Sequence, residues 1–478
     1  MTSSQLPRPF LAFLCCAALF SLTAQAQTAE NSYVWPKDEK VLENLKRWQG
    51  FKFGLLIHQG LYSQLGIVES WALCPEDWVQ RPGYDDYYAF ARDYRNAKSS
   101  FNPVKFDPEK WAKAFKGAGA KYVIYTTKHH DGFCLFDTHY TSFKVTDKGC
   151  PFSSDVRSNI AKEVFNACSK EGLAVGAYYS KPDWSSEFFW WPYYPPKDRN
   201  PNYDVTKYPA RWKQFVDYTH RQLDELVSGY GPLDILWLDG CWVRPLATIT
   251  PQVAEFCKYP HDLDIDIKSM AESARQKQPG VLIVDRWVQG EFENYLTPEQ
   301  TVPDKVLHVP WESCVTMGDA WGWVPHQHFK SCRELIQLLV KVVAKGGNLL
   351  LGIGPNGQGE FDPDVYVRLE EIGNWLKLNG EALYDTTPIE PFQDGQIFYT
   401  AKGDHQVFAI YLSGKDEKEV PGELVFKVPF KKTLKVALPA LRQELRCEPT
   451  ADGEKVIVPG SLRSQLAAQP AIVLQFGR

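Results

Sequence analysis

The sequence predicts an α/β protein, with a TIM-like (β/α)-barrel, possibly irregular, followed by a C-terminal antiparallel β-sandwich. Its 478 residues exceed what one hydrophobic core usually holds, so two domains are expected. From about residue 50 to residue 380, short apolar runs alternate with amphipathic segments. After Pro388 the pattern changes to short strands separated by Gly, Asp, Lys and Pro turns. These observations place the barrel in residues 27–385 and the sandwich in residues 386–478.

The apolar runs of the first part are typical of buried parallel strands. They lie at residues 53–57, 122–127, 173–179, 235–238, 281–285, 306–309 and 349–353. Helical segments are predicted between or after them at 107–118, 156–171, 211–228, 264–277, 330–345 and 363–379. Strands that are apolar throughout and followed by helices indicate a parallel sheet covered on both faces. No G-x-G-x-x-G follows the first strand, which disfavours a dinucleotide-binding sheet.

The last 90 residues or so contain strand patterns and no predicted helix. The strands are expected at 396–400, 406–412, 423–428, 433–437, 455–458 and 471–476. One long irregular insert, residues 182–210, interrupts the barrel and carries Trp184, Trp190, Trp191, Tyr193 and Tyr194. An aromatic loop at the C-terminal face of a barrel is a candidate binding wall.

Composition and charge exclude several classes of protein. Hydrophobic residues are 44% and charged residues 23%, which is too apolar and too weakly charged for a disordered chain. The net charge is −5, so no global positive field is available to hold nucleic acid or an anionic membrane. Aromatic residues reach 14%; most are expected to fill the core, and others can stack on apolar faces of ligands.

The first 26 residues are interpreted as a signal peptide. Arg8 precedes an apolar run over residues 10–22, and Ala24-Gln25-Ala26 is an A-x-A cleavage site. The run is too short to span a bilayer permanently. Cys15 and Cys16 raise the alternative of a lipoprotein signal, but bulky residues precede them. We therefore expect an exported protein, periplasmic or secreted, with no membrane span.

Polar side chains gather at the predicted carboxyl ends of the strands, where barrel enzymes place their active sites. A single Asp at such an end can equally cap the next helix. Several ends that carry His, Asp, Arg and Trp together indicate a site. These residues are His58, Lys128-His129-His130-Asp131, Tyr178-Tyr179, Asp183-Trp184, Trp237 with Asp239-Gly240, and Asp285-Arg286-Trp287, with Glu69, Glu299 and Glu312 on the loops after strands one, five and six.

The sequence predicts neither a metal nor a cofactor at this site. His129 and His130 are adjacent, and adjacent residues of a strand point to opposite faces. No H-E-x-x-H or C-x-x-C occurs, and the absence of G-x-S-x-G disfavours serine hydrolysis. Two carboxylates on a barrel instead suggest glycoside hydrolysis.

The sequence resembles the α-L-fucosidases of glycoside hydrolase family 29 over residues 50 to 380. The stretches that carry the resemblance are KFGLLIHQGLYS, FNPVKFDPEKWAKAFKGAGAKYVIYTTKHHDGFCLFDT, AYYSKPDW, LDILWLDG, VDRW, TPEQ and GNLLLGIGPNGQG. The resemblance implies a catalytic barrel that acts on a fucosylated oligosaccharide or glycoconjugate by a retaining mechanism. It assigns Asp239 as nucleophile and Glu299 as acid/base, roughly 5–5.5 Å apart. Glu291 and Glu293 are alternatives for the acid/base and are expected to be solvated.

The resemblance also implies the sugar-binding residues. They are His58, Glu69, Trp71, His129, His130, Tyr178, Trp237 and Arg286. Two departures from the family pattern are visible. Gln59 stands where Trp is common, which is expected to open or repolarise part of the pocket wall, and Ser70 separates Glu69 from Trp71.

Two alternatives to fucoside hydrolysis stay open at this point. The same scaffold could accept a galactoside, because L-fucose is a 6-deoxy-galactose of the L series. A catalytically silent carbohydrate-binding protein is disfavoured by the presence of both carboxylates. A panel of chromogenic glycosides separates these alternatives.

We expect the exported protein to begin at Gln27 and to carry no lipid, because the A-x-A site precedes that residue. Mass spectrometry of the protein recovered outside the cytoplasm of its native host tests this. A diacylglyceryl mass on Cys15 or Cys16 would overturn the assignment.

Overall fold

Seven parallel strands form a half-barrel and an antiparallel eight-stranded sheet follows it, which confirms the predicted fold class. The structure is a computed structural model that describes residues 30–76, 80–81, 83–258, 261–404, 406–428 and 435–477. The predicted signal peptide lies outside these residues. The barrel strands are β1 (Phe53–Ile57), β2 (Tyr122–Lys128), β3 (Ala174–Ser180), β4 (Ile235–Asp239), β5 (Leu282–Asp285), β6 (Glu312–Thr316) and β7 (Asn348–Ile353), in the order β5-β4-β3-β2-β1-β7-β6.

The helices cover the outside of the sheet and one end of its interior. They are α1 (Glu39–Phe51), α2 (Leu61–Leu65), α3 (Tyr87–Asn96), α4 (Pro108–Gly117), α5 (Ile160–Lys170), α6 (Pro209–Gly229), α7 (Pro251–Cys257), α8 (Ile267–Lys277), α9 (Cys332–Ala344) and α10 (Pro363–Asn379). Each predicted helix is present, whereas α1, α2, α3 and α7 were not predicted. Helix α1 packs Val41, Leu45 and Trp48 against the barrel interior, where Trp48 stacks on Tyr295 with ring centroids 3.9 Å apart. The barrel is therefore a filled core and not a pore.

The sixth predicted strand, at residues 306–309, is wrong, because the strand is β6 at Glu312–Thr316. Its sequence ESCVT begins with a carboxylate and lacks the apolar run that marks the other strands. Glu312 shares the inward face with Cys314, two residues later, so its polar head lies inside the barrel. Because β6 contains a buried acidic residue, it is not recognised as an apolar run in the sequence.

The segment 293–299 lies between the two edge strands of the half-barrel. Glu293 pairs with Val284 of β5 through an isolated bridge, and Glu299 pairs in the same way with Cys314 of β6. These bridges attach the end of the segment to β6. The backbone of Glu299 is therefore held by pairing with the sheet and does not lie in a free loop.

The second sheet has two buried faces in its central strands. Its strands are β8 (Thr387–Asp394), β9 (Ile397–Lys402), β10 (Gln406–Leu412), β11 (Glu423–Phe426), β12 (Lys435–Leu438), β13 (Gln443–Pro449), β14 (Glu454–Ile457) and β15 (Ala471–Gly477). In β10, Phe408 and Ile410 join the core of the barrel, while Val407 and Ala409 join a separate core among the C-terminal strands. The expectation of no helix here is wrong, because α11 (Gly460–Ala467) precedes β15. That helix is short and has no side-chain cap, so it left no clear signal.

No helix in the described part of the chain is long and apolar enough to cross a membrane.

Candidate active site

One cavity at the carboxyl ends of the barrel strands is lined by all ten predicted site residues. The predicted residues in its lining are His58, Glu69, Trp71, His129, His130, Tyr178, Trp237, Asp239, Arg286 and Glu299. Their placement in one cavity is observed, and their individual roles stay predictions that variants can test.

Arg286 joins the two candidate catalytic carboxylates. It follows β5, and its side chain is 8% exposed. Nη1 donates to Asp239 Oδ1 at 3.0 Å, and Nη2 donates to Glu299 Oε2. The guanidinium carbon also lies 4.8 Å from the ring centroid of Trp237 and 4.7 Å from that of Trp287. One cation, fixed between two indoles, therefore holds both carboxylates.

Asp239 is held as a carboxylate at the end of β4. The Tyr178 hydroxyl donates to its Oδ2 at 2.7 Å, so both oxygens have a donor. Burial acts to raise the pKa of Asp239, but the positive charge of Arg286 and the Tyr178 hydrogen bond outweigh it, and the pKa is lowered overall. Gly240 follows with φ +89°, where an added Cβ would lie 2.2 Å from Pro182 Cδ, so the sharp turn after Asp239 requires glycine.

Glu299 lies closer to the mouth of the cavity than Asp239. The Glu299 side chain is 28% exposed, against 16% for Asp239. Glu291 and Glu293 do not line the cavity. The expectation that both are solvated is wrong for Glu293, which is 4% exposed and accepts a hydrogen bond from Trp287 N at 3.0 Å. Burial raises the pKa of Glu293 to about 8, so it is a buried acid that fixes the turn at Trp287.

His129 and His130 both face the cavity, with ring centroids 4.3 Å apart. Strand alternation does not apply to them, because β2 ends at Lys128 and a turn closed by Gly132 N and His129 O follows. Burial lowers the pKa of both rings, that of His130 to about 3. Burial likewise lowers the pKa of His58, and all three imidazoles are neutral near pH 7.

The hydrogen bonds of His130 define its tautomer. The Ser180 hydroxyl donates to Pro182 O at 2.7 Å, so it must accept from His130 Nδ1 at 2.6 Å. The lone pair of the neutral ring is then on Nε2, 3.7 Å from Asp239 Oδ2. His130 thus presents an acceptor for a ligand hydroxyl beside the candidate nucleophile.

The two departures from the family pattern lie in different places. Ser70 Oγ is hydrogen-bonded to His129 Nδ1, so the extra residue orients a cavity histidine. Gln59 is 1% exposed, accepts from the Tyr125 hydroxyl at 2.7 Å, and is not a lining residue. Gln59 therefore does not repolarise the pocket wall, because its side chain turns into the core, while the expected opening of the wall by the missing Trp stays a prediction.

Glu69 forms the opposite side of the cavity. Its Oε1 accepts from Gly322 N at 2.8 Å, which ties the loop after β1 to the loop after β6. Burial raises the pKa of Glu69 to about 7. Trp321, beside Gly322, places its ring centroid 5.5 Å from that of His58.

Sequence reasoning missed five lining residues. They are Leu56, Cys241, Trp242, Phe256 and Trp321. Trp287 was noted at a strand end but was given no role, and Trp242 lies three residues after Asp239, so proximity to a strand end could have identified it. Phe256 and Trp321 lie in loop-rich regions that carry no such signal.

The aromatic insert 182–210 does not form the cavity wall that was expected of it. None of its aromatic residues lines the cavity. Trp184 is buried, stacks on Trp190 at 5.4 Å and packs behind His130 at 5.3 Å. The insert therefore supports the wall from behind.

Glu312 lies on β6 beneath the cavity, and its predicted place in a loop is wrong. It accepts from Trp237 Nε1 at 3.2 Å and from the Tyr122 hydroxyl at 2.5 Å. Burial raises the pKa of Glu312 to about 8. Protonated Glu312 thus holds the indole of Trp237, against which the Arg286 guanidinium packs.

Among the described residues, no group of three or more His, Cys, Asp or Glu side chains is arranged to hold a metal ion. The cavity combines paired carboxylates, neutral histidines and aromatic rings. On a (β/α) half-barrel, that combination defines a glycoside hydrolase.

The chain belongs to the α-L-fucosidase family, glycoside hydrolase family 29, whose sequence model matches residues 20–381. It is 30% identical to rat (Rattus norvegicus) tissue alpha-L-fucosidase over 418 residues, covering 82% of each chain. Alpha-L-fucosidase isoenzyme 1 from Paenibacillus thiaminolyticus is similar in structure, with TM-score 0.73, 27% identity and coverage of 92% of this chain and 99% of that one. Thermotoga maritima alpha-fucosidase in complex with fucose gives TM-score 0.69 and 27% identity over 93% and 98% of the two chains.

We expect Glu312→Gln to flatten the pH dependence of stability. The folded-state pKa near 8 lies above the ordinary value of 4.5, so the folded protein keeps a proton that the unfolded chain releases between these pH values. Wild-type stability should then fall as pH rises through this window, by up to about 1.4 kcal/mol per pH unit from this group. Glutamine cannot ionise, but it can still accept from Trp237.

Urea unfolding from pH 5 to pH 9 measures this dependence. Glu291→Gln, at an exposed glutamate, is the matched control and should follow the wild type. Parallel curves for the wild type and Glu312→Gln would contradict the assignment.

Proposed function

We propose that this glycoside hydrolase is an exported, exo-acting α-L-fucosidase that removes terminal α-L-fucosyl residues from glycans with retention of configuration. The observation that carries the proposal is the pair of carboxylates bound to one guanidinium in a cavity above the packed core of the barrel. A cavity that ends on a packed core suits a terminal sugar better than an internal one. Export rests on the N-terminal sequence, outside the described residues.

The placement of the two carboxylates supports a double displacement. Asp239, kept ionised by Arg286, would attack the anomeric carbon and form a covalent glycosyl-enzyme. Glu299, nearer the mouth, would donate its proton to the departing glycosidic oxygen and then remove a proton from the attacking water. Two carboxylates held on neighbouring nitrogens of one arginine fit the short separation of retaining enzymes.

The lining supports a 6-deoxy sugar. Neutral His58, His129 and His130 line the cavity and can hydrogen-bond with hydroxyl groups, His130 as an acceptor through Nε2 because its Nδ1 donates to Ser180. Leu56, Cys241 and Trp321 supply apolar surface that a methyl group can contact. This surface favours a fucoside over a galactoside, whose C6 hydroxyl would need a polar partner.

We expect Asp239→Ala to reduce turnover of an aryl α-L-fucoside by several orders of magnitude, because the nucleophile is lost. Azide should restore turnover and yield β-L-fucosyl azide, since it attacks from the vacated side. Asp285→Asn, at the corresponding end of the next strand but outside the cavity, is the control, and azide should not alter its rate. Activity within tenfold of wild type for Asp239→Ala, without azide dependence, would refute the nucleophile assignment.

We expect Glu299→Ala to slow substrates with poor leaving groups far more than activated aryl substrates, which need no proton to depart. Azide should here give α-L-fucosyl azide, because it replaces water in the second displacement. The basic limb of the pH–rate profile should also flatten. Glu291→Gln and Glu293→Gln serve as comparisons. If one of these shows the leaving-group dependence and Glu299→Ala does not, the acid/base has been misassigned.

A further inference from the structure

Ser70, the residue that separates Glu69 from Trp71, is buried next to the cavity without lining it. It begins a 3₁₀ turn over Ser70–Leu73, and it is 0% exposed. Glu69 and Trp71 on either side both line the cavity, so Ser70 lies behind the wall that they form. A hydroxyl group in such a place needs a hydrogen-bond partner.

The partner of Ser70 is His129, which follows strand β2. Ser70 Oγ is hydrogen-bonded to His129 Nδ1, and no other hydrogen bond of Ser70 Oγ is found in the described part of the chain. If the hydroxyl accepted from an Nδ1–H group, its own proton would be buried without an acceptor, which is costly. The hydroxyl therefore donates to Nδ1, and the proton of the neutral ring is on Nε2.

The ring of His129 is fixed in this orientation by its neighbours. It lies 6° from parallel to the Tyr178 ring, with centroids 5.5 Å apart, and the Tyr62 ring packs edge-on at 5.6 Å. The backbone oxygen of His129 accepts from Gly132 N at 3.0 Å. With Nδ1 turned to Ser70, Nε2 is the ring nitrogen that remains for a ligand in the cavity.

His130 has the opposite tautomer, because its Nδ1 donates to Ser180 Oγ at 2.6 Å and its Nε2 is left as an acceptor. The rings of His129 and His130 have centroids 4.3 Å apart and line the same cavity. The two histidines thus offer one N–H donor and one nitrogen acceptor side by side. Hydroxyl groups both donate and accept, so they can satisfy both nitrogens, whereas an ether oxygen can only accept.

We propose that Ser70 is a positioning residue that fixes the Nε2–H tautomer of His129, so that His129 and His130 present one donor and one acceptor to the hydroxyl groups of the terminal sugar. Ser70 acts through His129 and does not contact the substrate. The proposal rests on the proposed function for the nature of the ligand. Selection of the sugar then depends on a serine behind the cavity wall as well as on the residues that line it.

Nuclear magnetic resonance of the protein labelled with nitrogen-15 at histidine tests the tautomers, because protonated and unprotonated ring nitrogens have well-separated shifts. At pH 7 without ligand, we expect the proton on Nε2 of His129 and on Nδ1 of His130. The signals are assigned by their loss in His129→Gln and His130→Gln. Ser70→Ala should let an Nδ1–H population of His129 appear and leave His130 unchanged.

A proton on Nδ1 of His129 in the wild type, or an unchanged tautomer of His129 in Ser70→Ala, would overturn the proposal. If Ser70→Ala does not fold, the wild-type spectrum still decides. This measurement needs no substrate.

Kinetics with deoxygenated substrates separate a positioning role from a purely structural one. For an aryl α-L-fucoside, Ser70→Ala should lower kcat/KM about tenfold, the size expected for one lost hydrogen bond. Among the substrates that lack the hydroxyl at C2, C3 or C4, one should show no further loss in Ser70→Ala, because the hydroxyl that His129 binds is already missing. Equal losses for the parent and all three deoxy substrates would overturn the proposal.

Ser63→Ala is the matched control. Ser63 on α2 is also a fully buried serine, but its Oγ accepts from Gly60 N at 3.3 Å and is not bonded to a histidine. This variant should keep the wild-type kcat/KM and the wild-type tautomers. Failure of the wild type to hydrolyse the aryl fucoside would refute the proposed function and leave the tautomer measurement intact, so the two failures are distinguishable.

Discussion

Arg286 is the constraint on which the rest of the site depends. A guanidinium with little solvent contact needs anionic partners, and here it has two, Asp239 and Glu299. Its planar faces lie against Trp237 and Trp287, which fix its position in the barrel mouth. This cation makes the largest contribution to the lowered pKa of Asp239, and it also brings the second carboxylate close.

The barrel interior supports this arrangement from below. Glu312 of β6 accepts hydrogen bonds from Trp237 of β4 and from Tyr122 of β2, so one buried carboxyl joins three strands. Around the cavity, backbone and hydroxyl groups orient the remaining side chains, as Ser180 does for His130 and Gly322 for Glu69. The candidate site is thus positioned by the sheet and by short loops, with the insert 182–210 behind it.

Much of this arrangement could be predicted from the sequence, because strand ends carry both the fold signal and the chemistry. Six barrel strands were located by their apolar runs, and the ten site residues meet in one cavity. The failures share a physical cause. Strand β6 was missed because it begins with Glu312, an acidic residue that burial keeps protonated and that does not resemble a core residue in the sequence. Glu293 was expected to be solvated because its neighbours in sequence are polar, but it is buried. Gln59 and Phe256 could not be placed, since the orientation of a loop side chain depends on contacts distant in sequence.

In the proposed mechanism, two carboxylates on one arginine carry out hydrolysis with retention. Proton NMR of the sugar released in the first minutes from an α-L-fucoside tests it most directly. We expect the anomeric signal of α-L-fucose to appear first and the β anomer to follow only by mutarotation. Initial release of β-L-fucose would contradict a covalent intermediate on Asp239.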